Sequence, residues 1–266
     1  MTSNPIAVFD SGIGSLSIIL ELRRQVPYED LLYFADRAHF PYGSKSHGEL
    51  RQLVTNTIEY LRRYKPKLVV IASNTPSVQV LDEIRKTIPD IPLVGVKPPL
   101  KEAARLTKKK HIGIMATEGM LRSKEFENQI RRDVPQHILV TKFNASPIIE
   151  IIENGIFLEN ERRTFDTISR VLGDDVDREI DVITLSSTHL PFVKKYISAL
   201  IPTVRLVDPA HAVARDVKKV LGFYRMAKKR GTGRLQVLVS DGKREFEKSM
   251  RAMGVREPIE EVFFSY

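Results

Sequence analysis

Short apolar runs bounded by turn residues alternate along this chain with stretches in which apolar residues recur at helical spacing. The first apolar runs are Ile6–Phe9, Leu31–Phe34, Leu68–Ile71 and Pro92–Val96. The intervening stretches with a three-to-four-residue apolar period are Leu16–Gln25, Glu49–Tyr64 and Val78–Thr87. Alternating strands and helices of this kind predict a parallel sheet that is covered by helices on both faces.

The same alternation restarts at His111 and continues to the end of the chain. It predicts strands at His111–Met115, His137–Phe143, Val182–Leu185, Val204–Val207 and Leu235–Val239. It predicts helices at Ser123–Asp133, Ile148–Asn154, Glu159–Leu172, Leu190–Leu200, Ala210–Phe223 and Lys243–Met253. The restart indicates a second α/β domain rather than one long sheet.

One pair of segments matches across the two halves. Val69–Thr75 and Val182–Thr188 each place a buried strand before small hydroxyl and amide residues, and a helix follows both. Such strand ends line the ligand crevice of open α/β sheets. We therefore predict two pseudo-symmetric α/β domains, each a mostly parallel sheet flanked by helices, that face each other across an active-site cleft. The predicted ranges are 1–96 plus 208–266 for the first domain and 97–207 for the second, and chance similarity of two buried strands is the rival interpretation.

Composition fits a folded protein of the cytoplasm. Of the 266 residues, 42% are hydrophobic and 28% are charged, which is typical of globular chains. No apolar run approaches the roughly 20 residues that cross a bilayer, so we expect no membrane association. The start of the chain has no basic segment followed by an apolar one, and a secretory signal is therefore not expected. The sequence has no cysteine, which excludes disulfides, thiolate metal sites and thiol catalysis.

The formal net charge of +9 is mostly dispersed. Its two dense clusters, Lys108–Lys110 and Lys228–Arg230, sit where helices are predicted to end, and cations suit that end of a helix dipole. Solvated helix ends are the favoured interpretation, and contact with an anionic partner stays open. Nucleic acid is not expected as a partner, because a binder would gather its positive charge on one element.

Three polar segments that follow predicted strands could bind a small charged ligand. In Asp10-Ser11-Gly12-Ile13-Gly14, glycines let backbone N–H groups turn toward an anion, but the aspartate would favour an ammonium group. Ser73-Asn74-Thr75 and Ser187-Thr188-His189 could hold a carboxylate through several hydrogen bonds, and His189 could act as a general acid or base. Helix capping is the simpler interpretation of each segment taken alone.

Other reaction classes have weak support in the sequence. No serine lies in a Gly-x-Ser-x-Gly elbow, so a serine hydrolase ranks low. The six histidines show no metal-ligand spacing, and no Walker-type phosphate loop is present.

Taken together and in order, five motifs resemble the glutamate/aspartate racemase family. The segments and their counterparts are Phe9-Asp10-Ser11-Gly12-Ile13-Gly14 for FDSGxGG, Asp36 with Pro41-Tyr42-Gly43-Ser44-Lys45-Ser46 for D-x-x-x-x-PYGxKS, Ala72-Ser73-Asn74-Thr75 for ACNT, Thr117-Glu118-Gly119 for ATxGT, and Leu185-Ser186-Ser187-Thr188-His189-Leu190-Pro191 for LGCTHYP. The motifs span about the whole chain, and five in the same order form a specific signal.

The resemblance implies a racemase that moves the α proton of an acidic amino acid, glutamate first, between two bases and without a cofactor or metal. It places the catalytic positions at Ser73 and Ser187, with Asp10, His189 and Glu153 as the groups that tune them. It places substrate-binding groups at Ser11, Tyr42, Gly43, Asn74, Thr75, Thr117 and Thr188. It also implies a homodimer.

The main departure from the family is serine at both positions where its chemistry uses cysteine. A thiol has a pKa near 8.5 that neighbours readily lower, whereas a serine hydroxyl is a far weaker acid. We therefore expect this chain to be impaired or inactive as a racemase. The alternative is a natural non-catalytic relative that binds an amino acid or small dicarboxylate as a sensor or regulatory partner. Ser146 before Pro147, and Lys97–Leu100 in place of IEPG, are further departures.

Overall fold

The computed structural model describes residues 4–173 and 176–264. The chain forms two compact units, one made of Met1–Val96 with Ala210–Tyr266 and the other of Lys97–Pro209. This division places Asp208 and Pro209 with the second unit, whereas the sequence-based ranges assigned them to the first. The C-terminal segment returns to complete the first unit.

The first unit is built on a parallel sheet in the order β10-β9-β2-β1-β3-β4. Its strands are β1 (Ile6–Asp10), β2 (Leu31–Ala35), β3 (Leu68–Ile71), β4 (Leu93–Gly95), β9 (Leu235–Val239) and β10 (Ile259–Glu261). β1 pairs with β2 on one side and with β3 on the other. Because β2 lies on one side of β1 and β3 lies on the other, the carboxyl end of β1 is a topological switch point.

The second unit is built on a smaller parallel sheet in the order β6-β5-β7-β8. Its strands are β5 (His111–Ala116), β6 (Leu139–Asn144), β7 (Val182–Leu185) and β8 (Arg205–Val207). β5 is flanked by β6 and β7, so this sheet also has its switch point at the carboxyl end of its first strand.

The two sheets share one strand order. Numbered within each unit, both read second, first, third, fourth, and the first unit then adds β9 and β10 beside its second strand. Every described pairing in both sheets is parallel. The prediction of two pseudo-symmetric α/β domains with mostly parallel sheets is confirmed.

Helices join the successive strands. In the first unit they are α1 (Leu16–Gln25), α2 (His47–Leu61), α3 (Asn74–Gln79), α4 (Leu81–Thr87), α13 (Ala210–Phe223) and α14 (Lys243–Ala252). In the second unit they are α5 (Leu100–Leu106), α6 (Glu118–Arg122), α7 (Lys124–Asp133), α8 (Ser146–Glu153), α9 (Ile156–Glu159), α10 (Glu161–Leu172), α11 (Val176–Glu179) and α12 (Lys194–Leu200). No helix among the described residues is long and apolar enough to span a membrane.

Local chemistry explains where several helices begin and end. Ser46 caps α2 and forms a reciprocal capping box with Glu49, so α2 starts two residues before the predicted Glu49. The predicted helix Val78–Thr87 is divided at Val80, whose backbone is not helical. Asn160 caps α10 and so separates it from the short α9. The sequence pattern missed β10, because its three residues show only one buried position.

Candidate active site

In the first unit, polar residues follow the carboxyl ends of β1, β2 and β3; they form the first half-site. Asp10 ends β1 and is nearly fully buried, and its carboxylate accepts a hydrogen bond from the Ser11 N–H at 2.7 Å. The backbone N–H of Asp36 donates to the Asp10 carbonyl at 2.7 Å. The ends of β1 and β2 are therefore joined at this edge of the sheet.

A buried network centred on Asp36 holds the Tyr42 loop. The carboxylate of Asp36 accepts hydrogen bonds from the Tyr42 hydroxyl at 2.9 Å and from the Ser240 hydroxyl at 3.1 Å. Its Oδ1 also lies 2.7 Å from Nδ1 of His39. Asp36 is fully buried, so these contacts fix the loop that carries Tyr42 and Gly43. The resemblance had pointed to Tyr42 as a substrate-binding residue, but its hydroxyl is committed to Asp36.

The Tyr42 phenol is held neutral by its surroundings. Burial above all, and then the negative charges of Asp36 and Asp10, raise the pKa of Tyr42 well above its usual range. Its backbone N–H lies 3.5 Å from the Ser11 hydroxyl, at the outer limit of a hydrogen bond. Tyr42 therefore contributes to the first half-site through its loop rather than through an ionised oxygen.

A second set of hydrogen bonds shapes the turn after β1. The Tyr33 hydroxyl donates to the Gly12 carbonyl at 2.9 Å, and the Ser15 hydroxyl donates to the Tyr33 oxygen at 2.8 Å. Ser15 stands where the FDSGxGG motif has its last glycine, and its hydroxyl thus has a structural function. Sequence reasoning missed Tyr33, His39 and Ser240. Ser240 reaches Asp36 because β9 pairs with β2, whereas His39 lies in the same loop as Asp36.

Ser73 and Asn74 at the end of β3 use none of their side-chain hydrogen-bonding capacity within the described residues. Ser73 is the N-terminal cap of α3 but its half-buried hydroxyl makes no capping hydrogen bond. Both polar atoms of the buried Asn74 amide lack a hydrogen-bond partner there. Buried polar groups are normally paired, and an unpaired one is costly. Thr75 beside them is buried.

In the second unit, the site residues that the resemblance implied come together after β7; they form the second half-site. The Ser187 hydroxyl lies 3.4 Å from Nδ1 of His189, and Nε2 of the same ring lies 2.9 Å from the Glu153 carboxylate. All three side chains are buried. If Nε2–H donates to Glu153, the lone pair on Nδ1 faces the Ser187 hydroxyl. In this arrangement, Nδ1 of His189 can take the proton of the Ser187 hydroxyl.

Glu153 and Thr117 reach this half-site in different ways. Glu153 is the last residue of α8 and is separated from His189 by 36 positions along the chain, so only the fold brings the two side chains within hydrogen-bond distance. Thr117 follows β5, and its hydroxyl caps α6 by accepting from the Met120 N–H at 3.3 Å. Ser146 accepts from the Glu118 N–H at 3.1 Å. Thr188 is buried beside Ser187.

Within residues 4–173 and 176–264, no group of three or more histidine or carboxylate side chains is arranged to hold a metal ion. The polar side chains instead form two sets, each at the carboxyl ends of the strands in its sheet, and each set includes a serine after the third strand. The fold and these sets define an α/β protein of two similarly wound units, with serine at the corresponding strand ends, Ser73 after β3 and Ser187 after β7.

Comparison with known proteins agrees with this class. Residues 14–217 match the Asp/Glu/Hydantoin racemase family model, and the chain belongs to that family. It is 36% identical over 220 residues to a glutamate racemase of Pseudomonas paraeruginosa, an alignment that covers 82% of each chain. The resemblance drawn from the five motifs is confirmed.

Solved glutamate racemases share the whole fold. The Francisella tularensis enzyme in complex with D-glutamate has a TM-score of 0.84 at 25% identity. The Escherichia coli enzyme in complex with L-glutamate and the activator UDP-MurNAc-Ala has a TM-score of 0.84 at 26% identity. In both comparisons, the match covers 98% of this chain and 98% of the other.

Proposed function

We propose that this protein binds an acidic amino acid, with glutamate the first candidate, and that its two half-sites act on one α carbon by cofactor-independent proton transfer. The observation that carries the proposal is the matched position of Ser73 and Ser187, each after the third strand of an identically ordered sheet. Two-base racemisation needs one proton acceptor and one donor, and two related units provide them naturally. The glutamate bound by the two relatives supports the choice of ligand.

The unpaired Asn74 amide supports binding of a polar ligand at the first half-site. Its oxygen could accept from an ammonium group and its NH₂ could donate to a carboxylate. Asp10 carries a buried negative charge that suits the ammonium group. Ser11, Gly43, Thr75, Thr117 and Thr188 are proposed to contribute the remaining contacts, in keeping with the resemblance.

Proton transfer would begin at the second half-site. His189 Nδ1 takes the Ser187 hydroxyl proton, and Glu153 stabilises the resulting imidazolium through Nε2–H. The Ser187 alkoxide then removes the α proton from one face, and the Ser73 hydroxyl returns a proton to the other. Ser73 regains its proton from water, and the hydroxide formed takes the proton from His189. We propose that this sequence is slow, because serine is so weak an acid that its alkoxide is rarely formed.

Binding without turnover is the second candidate function, and one observation favours it. The Ser73 hydroxyl has no hydrogen-bond partner among the described residues that could exchange a proton with it. A protein with one incomplete proton relay could retain a ligand site and act as a sensor or regulatory partner.

Two measurements on the protein separate these functions. Calorimetric titration with both enantiomers of glutamate and of aspartate tests binding, and chiral chromatography after long incubation tests inversion. Slow inversion supports the impaired racemase, binding without any inversion supports the sensor, and no binding by any of the four compounds contradicts both. Rapid inversion would contradict the argument from serine acidity.

Two further properties stay proposals that rest on the resemblance. We propose a homodimer in the cytoplasm. Light scattering coupled to size-exclusion chromatography tests the dimer, and a mass equal to one chain at all concentrations contradicts it.

A further inference from the structure

A cavity lies at the amino ends of the strands in the first unit's sheet. It has a volume of about 910 Å³ and is lined by the residues before β1, by the starts of β2 and β9, by residues that follow α2 and by the loop 228–234. Leu31 and Leu235 are the first residues of β2 and β9, whereas Asp10 is the last residue of β1 and Ser73 follows the end of β3. A five-residue strand is about 16 Å long, so this cavity is separate from the first half-site.

The cavity is strongly basic. Five cationic side chains line it, namely Arg63, Lys65, Lys228, Arg230 and Arg234, against one acidic residue, Asp30. Lys228 is paired with Asp30 at 2.7 Å. Within the part of the chain that the structure describes, Arg63, Lys65, Arg230 and Arg234 make no ion pair, although Arg63 stacks on the Tyr60 ring. The cavity, called the basic pocket below, therefore has an uncompensated positive charge.

The loop that carries much of this charge is held in place. The buried Glu29 accepts from the Lys228 N–H at 2.8 Å and pairs with Lys67. Gly231 packs so closely that a Cβ there would lie 2.5 Å from the Tyr28 carbonyl oxygen. Gly233 has a φ of +60° and packs against the Pro27 carbonyl. Since the backbone is fixed, Arg230 and Arg234 extend from a preformed rim.

The rest of the lining is apolar or neutral. Leu31 and Leu32 are almost fully buried and form part of the wall with Tyr64. Burial first, and then the hydrogen bond with Tyr60, raise the pKa of Tyr64 to about 12, so its phenol stays uncharged and does not repel an anion. A ligand with anionic groups and an uncharged ring would match both parts of the lining.

We propose that the basic pocket binds a small phosphorylated molecule, whose phosphate groups are held by Arg63, Lys65, Arg230 and Arg234. Arginine guanidinium groups match phosphate oxygens through paired hydrogen bonds, which favours phosphate over a single carboxylate. The volume falls in the range of about 300–1,000 Å³ that holds small ligands, which favours a small molecule over a nucleic acid strand. The half-sites lie at the carboxyl ends of the strands and do not account for this cavity.

Calorimetric titration of the whole protein with tripolyphosphate and with ATP, at low and at physiological ionic strength, tests the proposal. Both probes should bind with a one-to-one ratio, and added salt should weaken the binding because the contacts are between charges. Two variants separate the pocket from general surface charge. The charge reversal Arg230→Glu with Arg234→Glu should lower the affinity for both probes about tenfold or more. Thr232→Trp fills the pocket and keeps every charge, and it should lower the affinity for ATP as much as the charge reversal does.

A matched control reverses the charge of two exposed lysines of the other unit, Lys108→Glu with Lys124→Glu. It should change the affinity for both probes by less than about twofold. Thermal unfolding of each variant checks that it is folded. The proposal is overturned if neither probe binds the folded protein, or if the control weakens binding as much as the pocket variants. It is also overturned if Thr232→Trp leaves ATP binding intact while a single-stranded oligonucleotide binds tightly, because the charge then serves an open surface.

Discussion

The two half-sites occupy the same position in two sheets of the same strand order, yet their serines differ in the hydrogen bonds that they make. Ser187 lies at the start of a buried chain of groups that passes through His189 to Glu153. Ser73 has no hydrogen-bond partner in the described part of the molecule, and its neighbour Asn74 keeps an unpaired amide. The buried network of the first unit is built around Asp36 and is directed at the Tyr42 loop, not at Ser73.

This difference shows that strand order determines where a functional residue stands but not what it can do. Both serines follow a buried third strand because the two units repeat one topology. The carboxylate beside His189 in the second half-site comes from α8, whereas the buried carboxylate of the first half-site, Asp10, ends β1. We therefore expect proton removal to be centred on Ser187 and ligand capture to be centred on the first half-site.

The largest effect should come from restoring thiols at both positions. We expect Ser73→Cys with Ser187→Cys to raise the rate of glutamate racemisation by about 10²- to 10⁴-fold, the range in which a well-matched acid–base group acts. The thiol at position 73 would stand at the start of α3, where the helix dipole favours the thiolate. Chiral chromatography measures inversion, and mass spectrometry in deuterated water measures α-proton exchange.

Either single change is the control for this experiment. One thiol supplies half of the exchange, so a single variant should incorporate deuterium from one enantiomer without inverting it. If the folded double variant neither exchanges nor inverts any acidic amino acid, the pocket has diverged beyond its two serines. The non-catalytic alternative would then be preferred, and Lys97–Leu100 would be the next segment to alter.

The next effect tests the proton relay of the second half-site. In the double-thiol protein, Glu153→Gln should lower the exchange rate about tenfold to a hundredfold, because an amide cannot stabilise the imidazolium of His189. The pH profile of exchange should also change shape, which a purely structural role would not produce. Glu150→Gln on the exposed face of the same helix is the matched control. An unchanged rate and profile in Glu153→Gln would remove His189 and Glu153 from the proposed chemistry.

A third effect tests the network of the first half-site through stability. Asp36→Ala should lower the free energy of unfolding by about 1–3 kcal/mol, since it leaves the buried Tyr42 hydroxyl without its acceptor. Urea denaturation measures the loss. Ser240→Ala removes one donor and leaves the carboxylate in place, so its cost should be smaller. Equal costs for the two variants would mean that Asp36 is not the centre of the network.

The smallest effect on stability, and the sharpest on binding, should come from Asn74→Ala. The amide makes no hydrogen bond to the described residues, so its removal should leave the melting temperature nearly unchanged. Glutamate affinity should fall about tenfold if the amide contacts the ligand. Calorimetry and thermal unfolding together give the answer. A clear loss of stability with unchanged affinity would assign Asn74 to the fold instead.

The sequence predicted much of the fold because buried apolar residues recur along the chain at the spacing of a strand or of a helix. The four residues of β3 and of β7 are all buried, and their short runs, apolar except for Thr184, marked them as strands of a covered parallel sheet. Elements with little burial left little trace. β10 has a single buried residue at the sheet edge, and α5 follows a pair of prolines, so neither could be predicted.

By itself, the sequence determined the class of fold, the matched strand ends before Ser73 and Ser187, and the absence of cysteine at both positions. Those features depend on local composition, spacing and motif order, which a single chain displays directly. Only the tertiary structure decided that Glu153 meets His189, that Asp36 gathers Tyr42, His39 and Ser240, and that the cations near Lys228 enclose a pocket. Glu153 and His189 are 36 positions apart and Asp36 and Ser240 are 204 apart, so no local pattern encodes these two contacts. His39 and Tyr42 are only three and six positions from Asp36, and the structure decided that their side chains turn toward its carboxylate.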